Sequence, residues 1–502
     1  MYIIKQLPYY LRKLLEGKTQ VISNTNLFDN DNKLSKAHEQ TIHTRGSHSE
    51  SVSNIALKLF QKLPQYQFLS NEEQQKYSQS LYYTSMLHDI GQPSYGHALA
   101  NLTNDVINQH FPHLFFDDNS NNIVFLEMYN LKRTLKTLNI NYEKNIKAIN
   151  KIIFETKEDM YYKRLINLTK YKPFKEITQK EIETFKKELK EENEGILLDK
   201  NLLCYLIKYP YCLDNEKKVT KGLYPTIHNK YISHFFKLKR QEQIKGLEVN
   251  KKQLMCTWFM DMADEIAYIN GDFSNFLNLY YNDPNFKKGI IEFYPKTEYE
   301  IKKTIKLILK ECSFPFKKKI NETSDFNVIE NKLIDYFIKN INIDENIKSS
   351  NIKELFSNKK TLELFNQIKL INYDIYIDFT EENFNLNYNN KKESVFRSKE
   401  FLNKIYKQLK RERTIPNYIV DNIKSDLYKE LIKYNLKEGN VETVALFYTN
   451  YLMEIPIDKF NSTIEMFFQR NPMKNEKTQN QIINNYKQVK KEHKFGLKQE
   501  VK

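Results

Sequence analysis

The fold of this chain is decided by two pieces of sequence, RGSHSE at residues 45–50 and HDIGQPSYGH at residues 88–97. In the second piece a His-Asp pair is followed directly by a turn rich in Gly and Pro. This pattern is expected where a helix ends at a metal ion. Imidazole nitrogen and carboxylate oxygen together suit a divalent cation that must also hold phosphate and water. A His-Asp pair alone is weak evidence, but here it has a His upstream and a His downstream.

Composition favours a mostly α-helical protein. The chain has 502 residues, enough for two or three domains, and only 11 Gly and 13 Pro. So few turn formers argue against an all-β fold. Leu, Ile, Lys and Glu recur at helical spacing through most of the sequence.

The net charge of +15 raises the question of nucleic-acid binding. Only 9 of the 78 basic residues are Arg, and dispersed Lys is more typical of a solvated surface. A small polyanionic substrate would use part of this charge equally well. Single-stranded nucleic acid therefore stays open as a partner without being favoured.

Cysteine usage and hydropathy predict a cytoplasmic protein with no membrane association. Cys204, Cys212, Cys256 and Cys312 lack paired metal-binding spacing and lie in apolar contexts, so reduced core thiols are expected. The N-terminus lacks the apolar region of a signal peptide. No run of about 18 apolar residues is present that could span a bilayer.

Helical periodicity places both pieces at helix ends. Apolar residues three and four apart predict a helix from residue 47 to about 60, with Arg45 and His48 three apart at its start. A surface or capping role is the alternative for His48 alone. A second helix over residues 72–89 delivers His88 and Asp89 to the turn.

The turn after that second helix presents His97, and another helix is predicted over residues 98–109. Successive residues on a helix diverge by about 100°, so His88 and Asp89 share one ion only if it lies between helices. This requirement favours a helical bundle with the metal in its interior.

A third helix, predicted over residues 253–272, is the place to look for a further ligand. Its expected buried stripe is Leu254, Trp258, Met262, Ile266 and Ile269. Asp264, Tyr268 and Asp272 lie four apart, in one polar line along a largely apolar element. Buried carboxylates are unfavourable unless paired or bound to metal. An ordinary amphipathic helix with a polar face is the alternative.

The motifs together resemble the HD-domain deoxynucleoside triphosphate triphosphohydrolases, the dGTPase family. Its members carry Lys-Thr-Gln-Val, then Arg-x-x-His-Ser-x-Glu, then His-Asp-Ile-Gly-x-Pro-x-x-Gly-His, then Ala-Asp-(Asp/Glu)-Ile-x-Tyr. Here these are residues 18–21, 45–50, 88–97 and 263–268, in the same order. The resemblance covers roughly residues 10–275 and implies an HD-domain helical bundle.

The resemblance implies a divalent metal, Mn²⁺ or Mg²⁺ or another transition metal, and a deoxynucleotide pocket. The four matching metal ligands are His48, His88, Asp89 and Asp264. Gln20 and Asp272 match residues that hydrogen-bond the sugar 3′-hydroxyl. Tyr268 matches the aromatic residue packed on the deoxyribose, which leaves little room for a 2′-hydroxyl.

Two further segments resemble phosphate-binding elements of the family. Lys208 and Tyr209 match a Lys-Tyr pair that reaches the phosphates, and Lys221 in a Lys-Gly-x-Tyr segment resembles a second such element. Surface lysines are the alternative for both segments.

The implied reaction is hydrolysis at the α-phosphorus, releasing a deoxynucleoside and intact inorganic triphosphate. Arg45 suits a phosphate oxygen because its planar fork donates two parallel hydrogen bonds. His97 is the candidate acid/base for the leaving 5′-oxygen or the attacking water. Gln92 is placed to donate a hydrogen bond to phosphate.

The chain departs from the family pattern at two positions. The family usually has an acid three residues after the second His, where this chain has Ala100, and a His where it has Gln92. A carboxylate beside His97 would orient the imidazole, and alanine cannot. A slower, allosterically gated or differently directed activity is compatible with these changes.

The sequence divides into three predicted regions. Residues 1–275 form an HD-type catalytic core, residues 276–470 an additional C-terminal helical region for support or assembly, and residues 471–502 a Lys/Asn-rich tail expected to be partly disordered. A short strand is predicted over residues 373–379, where apolar residues alternate. A homo-oligomer is expected by analogy with the family alone.

Two other functions remain open. One is an HD-type phosphodiesterase or phosphatase acting on other nucleotides. The other is a weakly catalytic nucleotide sensor or single-stranded nucleic-acid binder, motivated by Ala100 and the basic charge. The preferred base and an activating second nucleotide are not readable from the sequence.

Overall fold

The computed structural model describes residues 11, 15, 19–20, 43–92, 96–112, 114, 116–170, 173–192, 199–214, 221–250, 252–312, 323–343, 351–377, 385–455 and 457–470. Within these ranges the fold is mostly α, as predicted. The strands found there are β1, Thr19–Gln20, and β2, His43–Thr44, which pair antiparallel with Thr19 opposite Thr44.

The described helices follow one another through the chain. In order they are α1 Arg45–Gln61, α2 Asn71–Leu87, α3 Gly96–His110, α4 Asp118–Thr137, α5 Tyr142–Ile153, α6 Glu158–Lys170, α7 Gln179–Glu192, α8 Lys200–Tyr205, α9 Pro225–Ile244, α10 Met255–Asn282, α11 Pro284–Phe293, α12 Thr297–Glu311, α13 Thr323–Asn340, α14 Lys359–Lys369, α15 Asn385–Glu412, α16 Asn417–Asp421, α17 Asp426–Lys437, α18 Val441–Glu454 and α19 Ile457–Arg470. Short 3₁₀ helices cover Pro64–Phe68, Phe174–Glu176 and Ile352–Leu355, and a π-helix covers Leu370–Ile377.

Helix α2 owes its sharp start to a capping box. The Ser70 side chain accepts from the backbone N–H of Glu73, and the Glu73 carboxylate accepts from the backbone N–H of Ser70. This reciprocal pair satisfies two of the donors that every helix start leaves free. The helix ends at Leu87, with His88 as its C-cap residue.

Helix α10 is the central element, and α1, α2 and α13 pack against it. All five residues of its predicted apolar stripe are buried: Leu254, Trp258, Met262, Ile266 and Ile269. A helix that is apolar on most of its surface must be enclosed by others. Several polar side chains of α10 are buried with it, among them Asn270, Asp272 and Asn275.

The predicted strand at residues 373–379 is wrong. Residues 373–377 lie in the π-helix that continues α14, and the remaining two lie outside the described residues. Ile371, Ile375 and Tyr376 are buried, a spacing of four and five that one helical face satisfies. The Asn372 side chain donates to the carbonyl of Ile269 on α10 at 2.8 Å. Tertiary packing thus overrides the alternating pattern.

By compactness the chain divides into two units, Met1–Ile457 and Asp458–Lys502. The predicted functional boundary between residues 275 and 276 stays a prediction. None of the described helices has the length and hydropathy needed to cross a membrane.

Candidate metal centre

Helix α1 brings His48 to the centre of the bundle. Strand β2 runs directly into α1, and His48 lies in the first turn of this helix. Val52 and Ile55, one and two turns further along, are buried. Because the apolar face is packed against α2 and α10, the His48 side chain is only 9% exposed.

The C-terminal end of α2 supplies two neighbouring side chains, His88 and Asp89. The His88 Nδ1 atom lies 2.7 Å from the carbonyl oxygen of Ser85, so Nδ1 carries the proton and donates. Its Nε2 atom is buried and finds no hydrogen-bond partner among the described residues. That atom lies 3.4 Å from Asp89 Oδ2. A histidine held through one nitrogen, with the other left free, is the usual arrangement of a metal ligand.

Helix α10 completes the cluster with Asp264. Its Oδ1 atom lies 2.9 Å from His48 Nε2 and 3.5 Å from His88 Nε2. Ligands about 2.1 Å from a cation and at right angles to one another lie about 3 Å apart. One ligand atom each from His48, His88 and Asp89 lies within 4.8 Å of the others. These three residues could therefore hold a divalent cation, and Asp264 lies against both histidines.

The turn after Asp89 is fixed by α4. Asn122 accepts from the backbone N–H of Gly91 at 2.6 Å and donates to the carbonyl of His88, while Asn121 donates to the carbonyl of Gly91. A Cβ on Gly91 would lie 2.4 Å from the backbone nitrogen of Asn122. Only glycine allows this close approach, so the turn and α4 are locked together.

A positive charge lies beside the acids. The ammonium of Lys208 is 3.0 Å from Asp261 Oδ1 and 3.9 Å from Asp264 Oδ2. Burial would lower the pKa of Lys208, but the carboxylates of Asp261, Asp264 and Asp89 outweigh it and raise that pKa well above its usual value. The lysine is therefore charged and belongs to the cluster, in the region predicted for phosphates.

The acids shift the pKa of His88, and the pKa of Asp264 shifts in return. Burial lowers the pKa of His88, yet Asp89 and Asp264 outweigh it and raise it to about 8. Burial would also raise the pKa of Asp264, but His88, the hydrogen bond from His48 and Lys208 hold it well below its usual range. The carboxylate of Asp264 is thus ionised at neutral pH, the form that can bind a cation.

Two of the predicted sugar-binding residues, Tyr268 and Asp272, lie further along α10. Asp272 is 3% exposed, and burial raises its pKa to about 7 despite a hydrogen bond from Tyr268. The Tyr268 ring also lies 6.5 Å from the ring of Tyr373 in the π-helix. This tyrosine pair and the acid line one side of α10, beyond Asp264.

Other predicted residues are placed less directly. Gln92 donates to Asp89 Oδ1 at 2.6 Å, so it holds a ligand where a phosphate contact was predicted. The Lys221 ammonium lies 5.7 Å from the centre of the Tyr209 ring, so the two predicted phosphate-binding segments meet.

Three predicted residues have side chains outside the described part of the structure. The backbone of Gln20 pairs with His43, close to the start of α1, and Arg45 is the first residue of that helix. His97 lies in the first turn of α3, which starts at Gly96, where a loop was predicted. Ala100, the departure from the family pattern, is buried.

Sequence reasoning missed Asn121, Asn122 and Asp261. The two asparagines lie in a polar run that gives no periodic signal, and only tertiary contact shows their role. Asp261 precedes Asp264 by three residues, so helical spacing could have identified it.

A cavity of about 340 Å³ lies elsewhere, between α4, α6, α9 and α18, and none of the cluster residues lines it. Its two lysines face acids: Lys230 is 2.6 Å from Glu127, and Lys200 is 3.7 Å from Glu158. Among the described lining residues, both lysines are thus paired with acids, so neither is available to bind a triphosphate. The cavity therefore gives no support to a second nucleotide site.

Comparison with models of protein families and with curated proteins found no match for this chain.

Proposed function

We propose that this chain is a divalent-metal-dependent hydrolase of the HD-domain type, which converts deoxynucleoside triphosphates to deoxynucleosides and inorganic triphosphate. The observation that carries the proposal is the convergence of His48, His88, Asp89 and Asp264 from three separate elements. Residues this far apart in sequence come together, and the buried Nε2 atom of His88 faces the carboxylates of Asp89 and Asp264.

A bound Mn²⁺ or Mg²⁺ would polarise the α-phosphate and make hydroxide available near neutral pH. Phosphoryl chemistry asks the protein mainly for positioning and for neutralising charge on the phosphate oxygens. Lys208 supplies a fixed positive charge beside the proposed metal ligands. Gln92 orients Asp89 through its hydrogen bond.

Tyr268 and Asp272 support a deoxyribose substrate over other phosphate esters. A carboxyl group whose pKa is raised to about 7 can accept from, or donate to, a sugar hydroxyl. The Tyr268 ring offers the flat surface on which a sugar packs, and it would exclude a 2′-hydroxyl by steric contact.

The test is hydrolysis of the four dNTPs, singly and mixed, with Mn²⁺ or Mg²⁺, by wild type and by His88→Ala. We expect released triphosphate from the wild type and a loss of at least about 100-fold in the variant. His228→Ala, a histidine of α9 outside the cluster, is the matched control and should keep full activity.

The products discriminate among the alternatives. Stepwise orthophosphate release would contradict the proposal in favour of a phosphatase, and tight dNTP binding without turnover would favour a sensor. Activity restricted to dNTP mixtures would identify activation by a second nucleotide. Gel filtration in the same buffers tests the proposed homo-oligomer.

A further inference from the structure

We propose that Asp261 is a positioning residue that holds the Lys208 ammonium away from the metal-facing side of Asp264. The inference rests on the proposed metal centre. It assigns a role to an acid that is not itself one of the four proposed ligands.

The two oxygens of Asp264 face different partners. Oδ1 is the atom that approaches His48 and His88, at 2.9 Å and 3.5 Å. Oδ2 faces Lys208, but from 3.9 Å. The lysine is closer to Asp261, at 3.0 Å. Its charge is therefore held mainly by an acid one helical turn before Asp264.

Asp261 is in turn held by a hydrogen-bonded network. Gln253 donates to its second oxygen, Oδ2, and Gln253 itself accepts from Asn250 at 2.9 Å. The ammonium of Lys239 donates to the carbonyl of Gln253 at 2.6 Å. Both Asn250 and Gln253 are buried, so the carboxylate of Asp261 has a fixed orientation towards Lys208.

The charges around Lys208 explain why its position affects metal binding. The carboxylates of Asp89, Asp261 and Asp264 all lie near the ammonium of Lys208. Without the charge of Asp261, the carboxylates that remain near Lys208 among the described residues are those of Asp89 and Asp264. Both are proposed metal ligands. The lysine would then compete with the cation for the same carboxylates.

The test is Mn²⁺ affinity of the purified full chain, measured by electron paramagnetic resonance or calorimetry without substrate. We expect Asp261→Asn to weaken binding about tenfold, as loss of an outer-shell partner commonly does. Lys208→Met alone should tighten binding, because it removes the competing cation. The double variant should return to within about threefold of wild type.

Glu265→Gln is the matched control, since this acid lies on the same helix but pairs with Lys369, 3.2 Å away. Its Mn²⁺ affinity should equal that of wild type. Asp261→Ser provides a second variant, with the same expected loss, should the asparagine variant fail to fold. Circular dichroism verifies folding of each protein.

Each outcome is decisive. Unchanged affinity in both folded Asp261 variants, or no recovery in the double variant, would overturn the role of Asp261 while leaving the metal centre standing. Wild type that binds no Mn²⁺ would overturn the metal centre itself, and this inference with it.

Discussion

At the scale of single residues, the two nitrogens of His88 face different partners. Nδ1 is tied to the backbone of its own helix, and this fixes the ring so that Nε2 must face the acids. The sequence predicts His88 as a metal ligand, but it could not predict which of its nitrogens would face the acids. That choice depends on where the carbonyl of Ser85 points once α2 has ended.

A residue-scale prediction concerns Glu330 of α13. Burial raises the pKa of its carboxyl to about 7, so the folded protein keeps this proton at pH values where the unfolded chain has lost it. The free energy of unfolding should therefore decrease as the pH rises from about 4.5 to about 7. Glu330→Gln should abolish this pH-dependent decrease in the free energy of unfolding, which is worth about 1 kcal/mol or more.

Urea unfolding of both proteins at pH 5, 6, 7 and 8 measures this effect. The wild type should lose stability relative to Glu330→Gln up to about pH 7 and then stay level. Parallel curves over the whole range would show that the group titrates normally. Asp272 titrates in the same range and its pKa is raised in part by the charge of Glu330, so the difference between the two proteins includes that contribution.

At the scale of elements, the turn between α2 and α3 depends on α4. Asn122→Ala would remove the bonds to Gly91 and His88 and leave buried backbone groups without partners. We expect about 1–3 kcal/mol lower stability and about tenfold weaker Mn²⁺ binding. Asn145→Ala, at a half-buried asparagine of α5 whose hydrogen bond to Asn141 is at the surface, should change neither quantity.

The Gly91 backbone gives a second prediction at this scale. A methyl group there would overlap the backbone of Asn121 and Asn122, which cannot move without shifting α4. Gly91→Ala should lower the melting temperature by several degrees and reduce Mn²⁺ affinity. A variant as stable as wild type would show that α4 is not locked to the turn.

Element positions were largely predictable where the hydrophobic period was long. The prediction of a helix over residues 72–89 compares well with α2, Asn71–Leu87, and the apolar stripe of α10 is buried as expected. Prediction failed at residues 373–377, where alternating residues continue a helix. It also missed Asn121 and Asn122, because a local pattern does not show which distant turn a side chain will hold.

At the scale of the whole molecule, the proposed cation would act as a cross-link between three elements. Helix α1, the end of α2 and helix α10 each bring negative charge or imidazole to one point. Ligand that binds only the folded state raises stability by about 2.7 kcal/mol at 100 times its dissociation constant.

Saturating Mn²⁺ should therefore raise the melting temperature of the wild type, and EDTA should lower it again. Asp264→Asn should respond to neither addition, because it loses one ligand charge. Scanning calorimetry measures all four conditions. Equal shifts in both proteins would place the ion at some other site.

The distance between Asp264 and Asp272 along helix α10 limits which molecules could contact both acids. The helical rise of 1.5 Å per residue places Asp272 about 12 Å along the axis from Asp264. A compact phosphate ester can contact only one of these two acids. An extended molecule, with a phosphate at one end and a sugar at the other, can reach both. Under the proposed function, the spacing of these two acids on one helix favours an extended substrate over a compact one.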